Sequence, residues 1–147
     1  MYRNILVVTD GSELSSKAVK AALRLGRDFQ AEILVLNVQA PYQPPIAGEV
    51  PAAFLHNPEE YEQLALENSR KVLDEVAQQA AELGAKCRTL TRFDHSVHQS
   101  IINTAKDERI DLIVMASHGR GGFKNLLLGS ETQKVLTNCR IPVLVHR

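Results

Sequence analysis

Five short runs of β-branched and aliphatic residues punctuate the chain, at Asn4 to Thr9, Glu32 to Val38, Lys86 to Thr91, Asp111 to Ala116 and Pro142 to His146. Most of them are nearly continuous in apolar residues rather than alternating, the pattern of parallel strands covered on both faces. The third, with Arg88, Thr89 and Thr91, is the most polar and belongs at a sheet edge. Four helical patterns separate the runs. The first begins near Ser12, whose hydroxyl can cap free N–H groups, and repeats Leu14, Ala18, Ala21, Leu25 and Phe29 at the helical period. A longer one covers about Pro58 to Leu83, with Ser69, Val72, Val76, Ala80 and Leu83 on one side and Gly84 as its stop. The third spans Ser96 to Lys106 with Val97, Ile101 and Ala105 inward. For the fourth, Ser130 and Gln133 match a capping box, with Ser130 at the cap, ahead of Val135, Leu136 and Cys139.

Strand, helix and strand repeated in this way predict right-handed crossovers and a doubly wound five-stranded parallel sheet. The architecture is α/β and Rossmann-like, in strand order 3-2-1-4-5 with helices on both faces. Such sheets bind ligands beyond the carboxyl ends of their strands, where the winding reverses. Thr9-Asp10-Gly11-Ser12 follows the first strand and Ser117-His118-Gly119 follows the fourth, so two polar turns are expected to converge on one crevice. The segment from Gln39 to Asn57 carries Pro41, Pro44, Pro45 and Pro51 and reads as a flap or partner-binding loop.

At 147 residues the chain suits one domain over positions 1–147. Its 17 Lys and Arg balance 17 Asp and Glu, so no net charge draws it to nucleic acid or to an acidic membrane. Cys87 and Cys139 form no CxxC, which fits reduced thiols. Without a long apolar segment, neither a signal peptide nor a membrane span is expected, and the predicted location is cytoplasmic.

The residues from Met115 to Ser130 carry the clearest chemistry. Glycines 119, 121, 122 and 129 let a backbone approach a ligand and aim N–H groups at it, while the following helix offers the positive end of its dipole. Arg120 and Lys124 add formal positive charge. A phosphate cradle and a plain glycine-rich loop before a helix both fit this pattern. Neither a Gly-x-Gly-x-x-Gly after the first strand nor a Gly-Lys-Ser/Thr is present, so the common dinucleotide and P-loop fingerprints are absent. Asp10 can accept from a base or ribose or help hold a phosphate-bridging cation, or it can simply cap its own turn. His118 can donate to a phosphate or be satisfied by backbone. His95 and His98 lie three apart, with no third metal ligand evident, so a surface or capping role is expected. The chain shows no set of nucleophile, base and orienting acid.

With these residues in place, the chain resembles the universal stress protein family over nearly its whole length. The match rests on Ile5 to Ser12, on Leu36-Asn37-Val38, and on the block from Met115 to Arg147. The family's nucleotide-binding branch carries Gly, two residues, Gly, nine residues, then Gly-Ser or Gly-Thr, and Gly119, Gly129 and Ser130 fit that spacing. The leading glycine is Ala116 here, and its methyl is expected to crowd the ribose or α-phosphate slightly. The resemblance implies Thr9, Asp10 and Val38 around adenine and ribose, with Gly119, Arg120, Gly129, Ser130 and Glu131 along the phosphates. Met115, Ala116, Ser117, His118 and Thr132 complete the candidate set. It further implies ATP, or ADP or AMP, and a homodimer through the C-terminal strand at 141–147; the converging Asp10 turn and glycine loop add the expectation of Mg²⁺ beside the nucleotide. That dimer would cover an apolar sheet edge. The implied role is a stress-response sensor or adaptor with an unknown downstream protein. A slow ATPase or phosphotransferase, or a structural dimer that binds no nucleotide, are the competing readings.

Overall fold

The computed structural model describes residues 1–46, 48–49, 57–119 and 127–147. Its elements run β1 (Asn4–Val8), α1 (Glu13–Phe29), β2 (Glu32–Gln39), α2 (Pro58–Leu83), β3 (Lys86–Phe93), α3 (Val97–Asp107), β4 (Leu112–Ala116), α4 (Ser130–Asn138) and β5 (Val143–His146). All strands pair in parallel in the order β3-β2-β1-β4-β5, with the polar β3 at one edge as its composition requires. Alternation along each strand then divides the apolar side chains between two cores. Ile5, Val7, Ile33, Val35, Leu112 and Val114 pack with residues of α1 and α2, whereas Leu6, Leu34, Leu36, Ile113 and Met115 pack with residues of α3 and α4. Burial on both faces is why the central strands read as continuous apolar runs.

Three helices start on a side-chain cap: Ser12 accepts from Ser15 N, Asn57 from Glu60 N, and Ser96 from Gln99 N. Gly84 ends α2 at φ 69°, a left-handed conformation that glycine takes without strain. The buried face of α1 departs from the one its large apolar residues suggest. Ser15, Ala18, Val19, Ala22, Leu23 and Gly26 face the sheet, while Phe29 is 41% exposed and packs on Tyr2. The reason is close approach: a Cβ at Gly26 would lie 2.4 Å from Ile33 Cδ1, so the stripe Ala18, Ala22, Gly26 sets the contact. On α2, Leu73 rather than Val72 is buried beside Ser69, Val76 and Ala80. β3 runs two residues beyond Thr91, to Phe93. Among the described residues no helix is long and apolar enough to cross a membrane.

Candidate functional site

β1 and β4 are neighbours, and the winding reverses between them, so the turns that follow both strands meet at one end of the sheet. The β1 turn is tied down internally. Thr9 is 2% exposed; its Oγ1 accepts from Gly11 N at 3.2 Å and lies 3.1 Å from Ser15 Oγ. Asp10 Oδ1 accepts from Ser12 N at 2.9 Å, and Gly11 turns the chain at φ 79°. From the other side Gly119 comes so close that a Cβ there would sit 2.8 Å from Asp10 Oδ2. The two turns are therefore in direct contact.

After β4, Ser117 N donates to His146 O at 2.8 Å, and Ser117 O accepts from Gly129 N at 2.5 Å. That last bond pulls the chain into α4 one residue earlier than the Ser130 capping box implies. Gly129 is the N-cap, Ser130 is the first helical residue, and among the described residues no side chain caps the helix. A Cβ at Gly129 would lie 3.1 Å from His118 Cα and 3.2 Å from Ser117 O, which explains glycine at this position. Thr132 Oγ1 donates to Ala116 O at 3.0 Å and fastens the first turn of α4 to β4.

Between these elements lies a cavity of about 520 Å³. Of the residues proposed from sequence, Thr9, Asp10, Val38, Met115, Ala116, His118, Gly119, Gly129, Ser130, Glu131 and Thr132 line it. Ser117 does not; it is buried behind the turn, with Oγ 3.2 Å from His118 Nδ1. Arg120 and Lys124 lie outside the described residues, as do positions 47 and 50–56 of the proline-rich segment. Sequence reasoning missed Val8, Ser15, Val97 and Ile101, which also line the cavity. Val97 and Ile101 are one helical turn apart on α3, and that spacing marks them as inward without telling core from cavity wall.

Glu131 borders the cavity while its carboxylate reaches away to α3. Oε2 accepts from His98 N at 2.8 Å and lies 3.2 Å from His98 Nδ1; Oε1 is 3.4 Å from Lys134 Nζ. Burial opposes its charge, but the His98 N–H, the Lys134 ammonium and the His98 side chain outweigh that and hold the carboxyl below its usual range. An anion at the start of α3 also complements that helix's dipole. His95 instead meets Gln43 through Nδ1 at 3.3 Å, so the two histidines do not converge. Among the described residues no three His, Cys, Asp or Glu side chains gather as a metal set.

The sequence model of the universal stress protein family matches residues 1–147, and universal stress protein YxiE of Bacillus subtilis is 32% identical over 149 residues, spanning 100% of both chains. The chain belongs to the universal stress protein family. Universal stress protein MJ0577 of Methanocaldococcus jannaschii is 28% identical over 154 residues. Its solved structure has a TM-score of 0.79 at 27% identity, covering 99% of this chain and 96% of its own. A universal stress protein from Arabidopsis thaliana solved with AMP bound has a TM-score of 0.68 over 98% of this chain and 90% of its own, and at 16% identity it shows the shared fold. Against the family's glycine pattern, the departure at Ala116 takes on a different meaning. Strand alternation turns its methyl to the face of Leu112 and Val114, where it packs against the core under α1 and α2, opposite Met115. Ala116 thus borders the cavity and the core together.

Proposed function

We propose that this universal stress protein binds ATP together with Mg²⁺ and acts as a nucleotide-dependent sensor or adaptor. The observation that carries the reading is the start of α4. Of the four helices in the described residues it alone lacks a side-chain cap, and its first turn opens into the cavity. The N–H groups of that turn, which no described side chain caps, and the positive dipole end suit phosphate oxygens. The rest of the wall suits a flat, weakly polar base: Val8, Val38, Val97, Ile101 and Met115 are apolar. The volume, about 520 Å³, falls in the range of small-molecule sites. Asp10 is the carboxylate at the crevice and fits a cation shared with phosphates, since Mg²⁺ commonly takes one or two carboxylates and completes its shell with phosphate and water. ADP and AMP share the same recognition groups. The reading includes a cytoplasmic homodimer joined through the C-terminal strand, passing its nucleotide state to a downstream protein.

Titration calorimetry tests it. ATP with Mg²⁺ is expected to bind with a dissociation constant below millimolar and to raise the melting temperature. No heat and no thermal shift at millimolar ATP, with and without Mg²⁺, sink the proposal.

Ala116→Gly supplies a second check. Because the methyl packs into the core behind β4, its removal is expected to leave ATP affinity within about twofold and to lower stability by about 0.5–1 kcal/mol, the ordinary cost of glycine inside a strand. Tightening by an order of magnitude in calorimetry contradicts this and restores the crowding view.

A further inference from the structure

One buried polar side chain at this end of the sheet lies outside the cavity wall. Asn37 is 3% exposed on β2, and alternation sets it on the apolar face that carries Ile33 and Val35. An amide in such surroundings is costly unless both of its ends are hydrogen-bonded. Both are. Asn37 Nδ2 donates to Thr9 O at 2.8 Å, and Asn37 Oδ1 accepts from Gln39 Nε2 at 2.7 Å. Thr9 N in turn donates to Leu36 O at 2.9 Å, so the backbone of Thr9 is gripped from β2 on both its donor and its acceptor.

We infer that Asn37 is a positioning residue: through the carbonyl of Thr9 it fixes the plane of the peptide from which Asp10 departs, and so aims the Asp10 carboxylate into the crevice. This deepens the proposed nucleotide reading and rests on it. The geometry supports the step at each link. Thr9 is where the chain leaves β1, and there the Asn37 side chain takes the place of a strand as the donor to its carbonyl. With that carbonyl held, the Thr9 hydroxyl is oriented to accept from Gly11 N and to meet Ser15 at the start of α1. On the far side Gly119 leaves the Asp10 carboxylate room that any side chain would take, since a Cβ there would lie 2.8 Å from Oδ2. An Asp10 turn free to rock would carry its carboxylate out of line with a ligand in the crevice, and the hold on the Thr9 carbonyl opposes that motion.

The experiment compares the parent protein with Asn37→Ala, Asp10→Asn and the double variant, by calorimetric titration of ATP with Mg²⁺ and by amide hydrogen exchange without ligand. Asn37→Ala is expected to weaken ATP on the order of tenfold, the weight of one buried hydrogen bond. If it acts through Asp10, the double variant binds no more weakly than Asp10→Asn alone, a non-additivity that a general loss of stability does not produce. In the ligand-free protein the amides of Gly11 and Ser12 exchange faster in Asn37→Ala, while those inside α1 do not. Additive effects, or unchanged exchange at Gly11 and Ser12 in folded Asn37→Ala, overturn the inference. If Asn37→Ala does not fold, Gln39→Leu removes only the donor to Asn37 Oδ1 and must accelerate the same two amides; failure to do so overturns it equally. Should the parent bind no ATP, the functional reading falls, and the exchange data decide the role of Asn37 alone.

Discussion

Gly129→Val is expected to bind ATP at least about a hundredfold more weakly than the parent, roughly 2.7 kcal/mol, while retaining its parallel sheet. Backbone strain plays no part, because Gly129 sits at φ −70° and ψ 159°, a region valine favours. Contact decides instead. The added Cβ meets the main chain of Ser117 and His118 at 3.1–3.2 Å, and backbone atoms cannot swing aside as a flexible side chain does. The start of α4 must therefore move away from the β4 turn. That motion, a few tenths of an ångström for the Cβ and more for the two methyls beyond it, lengthens the Gly129 N to Ser117 O bond, strains the tie from Thr132 to Ala116 O, and displaces the N–H groups proposed to hold phosphate. The sheet is spared because α4 contributes only Val135 to the fully buried core of that face. Circular dichroism and calorimetry separate the outcomes. A folded variant with parental affinity removes α4 from the site, and a variant that unfolds shows that the Gly129 contact is mainly structural.

The strand order was legible because two facts about this chain are compositional. The central runs are apolar on both sides, and the third carries Arg88, Thr89 and Thr91, as an edge strand tolerates. The switch-point rule then brings Asp10 and Gly119 together without any knowledge of their contact. What stayed hidden were tertiary choices between locally equivalent options. Ser130 and Gln133 make a sound capping box, but a bond from Gly129 to a carbonyl twelve positions earlier moves the cap by one residue. The face of α1 follows its smallest residues because Ile33 fills the space over Gly26, a fact about the sheet rather than the helix. Glu131 was read beside the phosphates by resemblance; that its carboxylate is held by the His98 amide, 33 positions away, has no local signature. Asn37 carried a signal that went unread, an amide set at a core-facing position near the end of a largely apolar strand.

Leu144→Asp is expected to turn a dimeric parent into a monomer at tens of micromolar. β5 is the edge of the sheet beyond β4, and within this chain its outer side has no strand partner among the described residues. Leu144 is 36% exposed there, large and apolar at an edge that invites pairing with a second copy. Two-fold symmetry counts each substitution twice. Fully burying a leucine is worth about 1.5–3 kcal/mol and Leu144 is already mostly covered in the protomer, so pairing gains about a third of that per copy, about 1–2 kcal/mol for two, or about one order of magnitude in the dimer constant; two aspartates facing each other across the axis add the larger cost of burying charge. Val143 faces the other way, into the core under α3 and α4, so Val143→Asp is expected to lower the melting temperature of the protomer itself and reports less cleanly on assembly. Light scattering gives the mass and thermal unfolding gives the control. If the parent is already a monomer at that concentration, or if Leu144→Asp remains a dimer with an unchanged melting temperature, β5 is not the interface, and the proline-rich segment after β2 becomes the surface to probe.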